Sequence, residues 1–371
     1  MPDRFSLSML PAREGDCLHI AYGQAGSLKH ILVDAGRQWT WKHALKAYLS
    51  ENAITELELL VVTHVDRDHI DGMMAMLGDP DFDLEVKNIW FNTWAHLRGE
   101  AIVLPVHDDP DTEAFGAKMG EQLSTLIIGK NWPWNSQFSG KAVEISDDPE
   151  ASTICFDELC IRLLSPDRSK LTGLIPGWKK ECEKAGLTPG GSVKDYVPDD
   201  DEIEEFGSVD IDALAAEPFR EDHSKANGSS IAFLLEYKGI RFLLSADAHA
   251  DLLVKSLEIL GASTAKPLHV HAFKLPHHGS KYNISSELLG LIQCENYLVS
   301  SNGNYFKHPE DVAMARLIKH GTRGSVINFN YKTDYNDFWK NDRWESQYHY
   351  STNYPVNDKD GFLTLSFEVP D

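Results

Sequence analysis

The chain has 371 residues, 42% of them hydrophobic and 25% charged, a composition that suits one large globular domain or two average ones and excludes a low-complexity or fibrous protein. Its formal net charge of -22, from 35 basic and 57 acidic side chains, sets a field that opposes long polyanions. No apolar run approaches the ~20 residues needed to cross a bilayer.

The opening residues lack a long apolar stretch, so no secretory signal is expected. Five cysteines (Cys17, Cys155, Cys160, Cys182 and Cys294) form an odd set without a CxxC pair. They predict neither a disulfide framework nor a thiolate zinc site, and they place the chain in a reducing cytoplasm.

Strands are predicted at 5–11 and 17–23, separated by the turn AREGD, and a third at 30–36 contains Asp34. An amphipathic helix follows at 41–53, then a strand at 56–64, a helix at 69–79 and a strand at 86–92. From 95 to 134 the pattern is helical, most clearly at 112–128. Short strands resume at 141–146, 152–157 and 159–166. Residues 171–225 are the least strand-like. They hold a helix candidate at 178–185 and the acidic run DDDEIEE at 199–205, and they read as an insertion or a mobile cover. Strands at 229–237 and 240–247 form a hairpin through Lys238-Gly239. A helix at 248–261, the segment VHAFKLPHHGS, a helix at 286–292 and a strand at 295–301 come next. The tail is rich in Tyr, Trp and Asn and closes with a strand at 361–369. Interleaved strands and helices of this kind make an α/β layered protein, whose sites lie beyond strand C-termini.

The chemistry concentrates after the strand ELELLVVT. His64, Asp66, Asp68 and His69 follow within six positions and precede Asp71-Gly72. Two imidazoles and two carboxylates at that spacing offer nitrogen and oxygen donors to one small volume, and they suit zinc, manganese or iron. A solvated loop capping the next helix is the weaker explanation. Asp247 ends a buried strand before a helix, where it is placed either to bridge metals or to cap that helix. His277 and His278 sit between Pro276 and Gly279 on a turn. His308 precedes Pro309, and Arg37, Lys274, Lys281 and Lys307 flank these motifs as local cations. Trp39, Trp41 and the aromatic tail offer surfaces for stacking on a base, although core packing is the better explanation of them.

This pattern resembles the metallo-β-lactamase-fold hydrolases, whose hallmark is HxHxDH after a buried strand. Here the motif is HxDxDH, with Asp66 in place of the second histidine, and it is similar to the hydrolase domain of the ComEC-type competence proteins. The segments EGDCLHI, ILVDAG, NGSSIAFLLEYKGIRFLLSAD, FKLPHHGS and GNYFKHP follow in the same order.

The resemblance implies a four-layer αββα sandwich of two mixed sheets with helices outside. It implies one domain over 1–371, with insertions at about 95–150 and 166–225 and a C-terminal extension at about 325–371. It further implies two divalent metal ions, zinc or manganese. His64 and Asp66 would hold one, Asp68 and His69 the other, Asp247 would bridge them, and His277 or His278 would complete the second. The further histidine that the family draws from mid-chain is missing after Ser165-Pro166-Asp167, and His223 is a candidate substitute. Asp68 would orient the attacking water and His308 would protonate the leaving group or bind a phosphate oxygen. Arg37, Asn227, Ser280 and Lys281 would contact substrate.

The expected activity is hydrolysis of phosphodiesters, as a phosphodiesterase or nuclease acting on a nucleotide or on nucleic acid, with no membrane partner. Two other classes stay open, a hydrolase of small esters, thioesters or lactones and a metal-bearing interaction module without catalysis. The sequence leaves the oligomeric state undetermined.

Overall fold

The computed structural model describes residues 3–102, 116–146, 148, 150–184, 189, 209–356 and 361–369. Two mixed sheets dominate it. The first is built from β1 (Asp3–Met9), β2 (Leu18–Gln24), β3 (Lys29–Val33), β5 (Leu59–Val61), β7 (Ile89–Trp90) and β16 (Leu363–Val369), in the order β16-β1-β2-β3-β5-β7. Between them in the chain, β4 (Glu56–Leu57) and β6 (Glu85–Val86) form a small separate pair. The second sheet runs β15-β14-β13-β12-β11-β10-β9-β8, from β8 (Thr153–Phe156) and β9 (Leu159–Ser165) through β10 (Ala232–Tyr237), β11 (Ile240–Leu244), β12 (Leu268–Lys274), β13 (Ile292–Val299) and β14 (Val326–Phe329) to β15 (Ser351–Asn353). Each sheet is antiparallel on one side and parallel on the other.

Side-chain alternation fixes the layers, because successive residues of a strand point to opposite faces. Ile31, Val33, Leu59 and Val61 share one buried cluster with Phe233, Leu235, Phe242, Leu244 and Ala272 of the second sheet. The sheets therefore face each other across that cluster. The alternate residues Leu32 and Leu60 pack outward against helical side chains such as Met73, Leu123 and Trp178. On the other side Leu234, Leu243 and Phe273 pack outward against Leu253, Leu257, Leu288 and Leu317. The order is helix, sheet, sheet, helix.

Several sequence readings need correction. The start of the segment 171–225 is part of the core, since the helix Arg168–Lys184 buries Leu171, Leu174, Trp178 and Cys182 in the first helical layer. The run at 199–205 lies outside the described residues. The tail closes with the expected strand and joins both sheets. β14 and β15 extend the second sheet, and β16 pairs with β1 along its whole length, from Asp3↔Val369 to Met9↔Leu363. Residues 141–146 form no strand, because Asn92 occupies the backbone of Val143 in both directions, donating to its carbonyl and accepting from its N–H. Nor are all cysteines free: Cys155 and Cys160 form a disulfide across the β8–β9 hairpin.

Two buried histidines make the fold sensitive to acid. Burial holds His96 down to about 4, and burial with neighbouring His30 holds His19 down to about 3. Both are neutral in the native state, whereas in the unfolded chain they take up protons below about 6.5. The unfolded state then binds more protons, so stability falls as pH drops from about 6.5 to about 4. His96 alone contributes a loss on the order of 3 kcal/mol over that window. Urea midpoints measured across it should decline in the parent and decline less steeply in His96→Gln. Equal slopes would exclude this assignment.

Candidate metal centre

The donors come from loops at one edge of the sandwich, where chain leaves both sheets. After β5, Thr63 leads into His64, and the helix Arg67–Leu77 opens with Asp68 in its first turn and His69 behind it. Asp34, just past β3, orders this segment. Its carboxylate accepts from the Thr63 N–H at 2.8 Å and hydroxyl at 2.7 Å, and it lies 2.8 Å from His69 Nδ1. That contact turns His69 Nε2 toward the centre. Two glycines permit the approach of these loops. A Cβ on Gly15 would stand 1.7 Å from the Asp68 carbonyl oxygen, and one on Gly72 would stand 1.9 Å from that of Ala35.

From the second sheet, β11 runs into Asp247 and β12 into His277 and His278. Asp34, Ala246, His277 and His278 all adopt positive φ, between 45° and 56°, which costs non-glycine residues energy. Four such residues converge on one spot, as strained backbone at functional sites does.

Asp247 is the hub. Its Oδ2 lies 3.4 Å from His69 Nε2, 3.8 Å from His64 Nε2 and 3.8 Å from His277 Nε2, while Oδ1 lies 3.6 Å from His278 Nε2. His278 Nε2 also approaches Asp68 at 3.5 Å and His69 Nε2 at 3.3 Å. On the other side, Asp66 Oδ2 stands 3.6 Å from His64 Nε2. The seven residues expected as metal ligands thus gather in one place, four histidines about the Asp247 carboxylate and Asp66 and Asp68 beside those histidines. Both late histidines reach Asp247, in different settings. His278 groups with Asp68 and His69, whereas His277 faces the cleft and shares Asp247 with His64.

The same structure adds residues that sequence reading passed over. Asp16, His69, Asp247 and His278 place ligand atoms within 4.8 Å of one another. Asp16 Oδ1 is 3.5 Å from His278 Nδ1, and its Oδ2 accepts from the fully buried Lys274 ammonium at 2.7 Å. Lys274 is therefore engaged as a buried partner and is not a cation offered to substrate. Asp222 is the second addition. It accepts from Asn227 Nδ2 at 2.6 Å and lies 3.7 Å from His277 Nδ1. The neighbouring His223 is exposed and takes no part in this network.

Electrostatics match a cation site. Burial disfavours ionisation of Asp16, Asp68 and Asp247, yet Lys274 and the ring of imidazoles outweigh it and hold all three carboxyls well below the usual range. Burial opposes charge on the rings as well. The surrounding carboxylates prevail there, pushing His69 up and His278 up to about 9. Protonated rings balance this anionic cluster only until a divalent cation takes their place, because a ligating imidazole must be neutral. His64 Nε2, Asp247 Oδ1 and Asp16 Oδ1 are buried without a hydrogen-bond partner. Such orphaned atoms are costly, and a divalent cation beside Asp247 would satisfy His64 Nε2 and Asp247 Oδ1. The donor set, nitrogen and carboxylate oxygen without thiolate, fits zinc or manganese.

A cleft of about 350 Å³ opens onto the cluster, lined by Arg37, Asp66, Arg67, Asp68, Ser224, Asn227, Asp247, His277, Tyr305 and Phe306. Arg37 and Asn227 stand where substrate contact was expected. Two other expectations fail. Ser280 is buried and its hydroxyl accepts from the Tyr282 N–H, while Lys281 turns away to pair with Glu310 at 2.9 Å. His308 does not line the cleft. Its ring is buried among His277, His278 and Phe306, a placement that suits support of His277 rather than proton donation to substrate. His308→Ala is accordingly expected to slow activated and unactivated substrates by the same factor, about tenfold, through loosened His277. Selective slowing of the unactivated substrate would restore the acid role.

No protein-family model matches the chain, and no curated protein sequence matches it significantly. Among the described residues, no helix is long and apolar enough to cross a membrane.

Proposed function

We propose that the protein is a metal-dependent hydrolase of phosphodiester bonds with a metallo-β-lactamase-like αββα architecture. The observation that carries this reading is the convergence of His64, Asp66, Asp68, His69, Asp247, His277 and His278 on one buried cluster at the floor of an open cleft, with partnerless donor atoms turned into it. His64, Asp66 and His277 would hold one cation, Asp68, His69 and His278 a second, with Asp247 shared between them. When bound, such a pair supplies Lewis acidity toward phosphoryl oxygens and lowers the pKa of a coordinated water.

The remaining work falls to the chain's own side chains. Asp68 lies at the cleft with its side chain largely covered, where its carboxylate can accept a hydrogen bond from an incoming water and fix its direction. Asp34 and the Ser300 carbonyl hold the rings of His69 and His278 from behind, each 2.8 Å from the Nδ1 atom, with Asp16 nearby at 3.5 Å from His278. Asp222, Asn227 and Asn283 brace His277, with Asn283 Oδ1 3.1 Å from its Nδ1. Arg37, clamped by Glu14 at 2.7 Å, and Arg67 put positive charge on the cleft wall of an otherwise acidic protein. Those guanidiniums favour an anionic phosphodiester over a neutral ester or lactone.

The test pairs metal content with turnover. Protein loaded with zinc or manganese should retain close to two equivalents after dialysis and hydrolyse bis-p-nitrophenyl phosphate. Activity confined to lactones or thioesters would transfer the reading to acyl chemistry. Failure to retain either metal, with no turnover, would leave only an interaction module.

A further inference from the structure

Part of the cleft wall is aromatic. Tyr305 is 42% exposed and Phe306 43% exposed, and both line the same cavity as Asp66, Asp68, Asp247 and His277. Their rings meet edge to face at 4.6 Å between centroids. Large apolar side chains this exposed are few among the described residues, and here two adjacent ones stand at a single opening. The Arg37 guanidinium lies 6.0 Å from the Tyr305 ring, so charge and ring face one another across the mouth.

The aromatic residues suspected from sequence do not supply this surface. Trp41 is buried and bonded to Asp79, and Trp339 and Tyr350 lie in the second helical layer. Tyr305 and Phe306 belong to the loop after β13 that carries His308, whose buried ring stacks with Phe306 at 6.0 Å. The loop is therefore anchored at one end and presents its rings at the other.

Resting on the hydrolase reading, we infer that Tyr305 and Phe306 bind a planar heterocycle of the substrate, which makes the substrate a small nucleotide-like phosphodiester. A base stacks on aromatic rings irrespective of its identity, and an adjacent arginine adds a cation–π contact and a phosphate partner. The cavity, about 350 Å³, falls at the small end of the range for ligand sites, about 300–1,000 Å³. The charge of -22 opposes a long polymer.

The test compares two esters with one leaving group, thymidine 5′-(p-nitrophenyl phosphate) and methyl p-nitrophenyl phosphate, on the metal-loaded full chain. The thymidine ester should show kcat/KM at least tenfold higher, chiefly through KM. That ratio should fall about tenfold in the double variant Tyr305→Ala/Phe306→Ala, a change of about 1.4 kcal/mol. The ring-retaining variant Tyr305→Phe/Phe306→Tyr should keep it. Calorimetric titration with AMP and with ribose 5-phosphate separates binding from catalysis. If neither ester is cleaved but AMP binds more tightly than ribose 5-phosphate in a ring-dependent way, the hydrolase reading falls and the base site stands. Equal handling of both esters, or equal binding of both phosphates, overturns the base site alone.

Discussion

Asp68→Asn is expected to lower kcat on bis-p-nitrophenyl phosphate by about a thousandfold or more, while the urea midpoint stays near that of the parent. Asp68 lines the cleft, and its carboxylate lies 3.5 Å from His278 Nε2 and 3.8 Å from His69 Nε2. An amide keeps the shape but loses the anion. It brings two N–H donors toward imidazole nitrogens and makes a far poorer metal ligand. A thousandfold loss is about 4 kcal/mol of transition-state stabilisation, within reach for a residue assigned both a ligand bond and the direction of the nucleophile. Retained turnover in a variant that still binds metal would end the assignment of Asp68 and weaken the hydrolase reading with it.

Gly72→Ala should be among the most damaging single changes in the chain, costing about 4 kcal/mol or more or preventing folding outright. The new methyl would lie 1.9 Å from the Ala35 carbonyl oxygen and 3.0 Å from that of Arg37, both backbone, so no side chain can move aside. Gly72 N–H also donates to the Gly36 carbonyl at 2.8 Å, so retreat breaks a buried bond. Overpacking of this severity falls in the large tail of mutational effects. Gly177→Ala is the matched control. It lies inside the helix Arg168–Lys184, and an added Cβ there meets nothing within 4 Å. That change should stabilise by about 0.5–1 kcal/mol. Urea unfolding of both variants decides the matter, and a small effect for Gly72→Ala would show that the Ala35–Gly72 approach is not rigid.

Why parts of the centre were legible follows from local sequence. His64, Asp66, Asp68 and His69 are crowded into one strand-to-helix turn, and a crowd of donors is visible without any tertiary information. Asp247 and the His277-His278 pair were visible because each ends a strongly apolar strand. Asp16 and Asp222 are single carboxylates in polar turns, and nothing local separates them from the 57 acidic residues of the chain. What draws them into the cluster is a contact made over distance, Asp16 with Lys274 and His278, Asp222 with Asn227 and His277. Ser280 and Lys281 misled for the opposite reason. They are close in sequence to the histidines, but the consecutive left-handed residues His277 and His278 turn the chain away immediately beforehand. The fold shows the same division. Alternation in LTLSFEV marks β16 as a strand, yet its partner is β1 at the other end of the sequence, a pairing no local pattern announces.

The position of the donors on both sheets bears on the protein's lifetime in a cell. Asp16, Asp34, His64, Asp66, Asp68 and His69 follow strands of the first sheet, and Asp247, His277 and His278 follow strands of the second. Any cation held among them fastens the two sheets at that edge, so ion affinity and sheet docking draw on the same free energy. At a free ion concentration one hundred times the dissociation constant, the fastening is worth about 2.7 kcal/mol. A chain starved of metal would loosen first along this seam, exposing the apolar face that includes Phe233 and Phe242 to proteases. Metal supply would then govern how many copies persist as well as how many are competent.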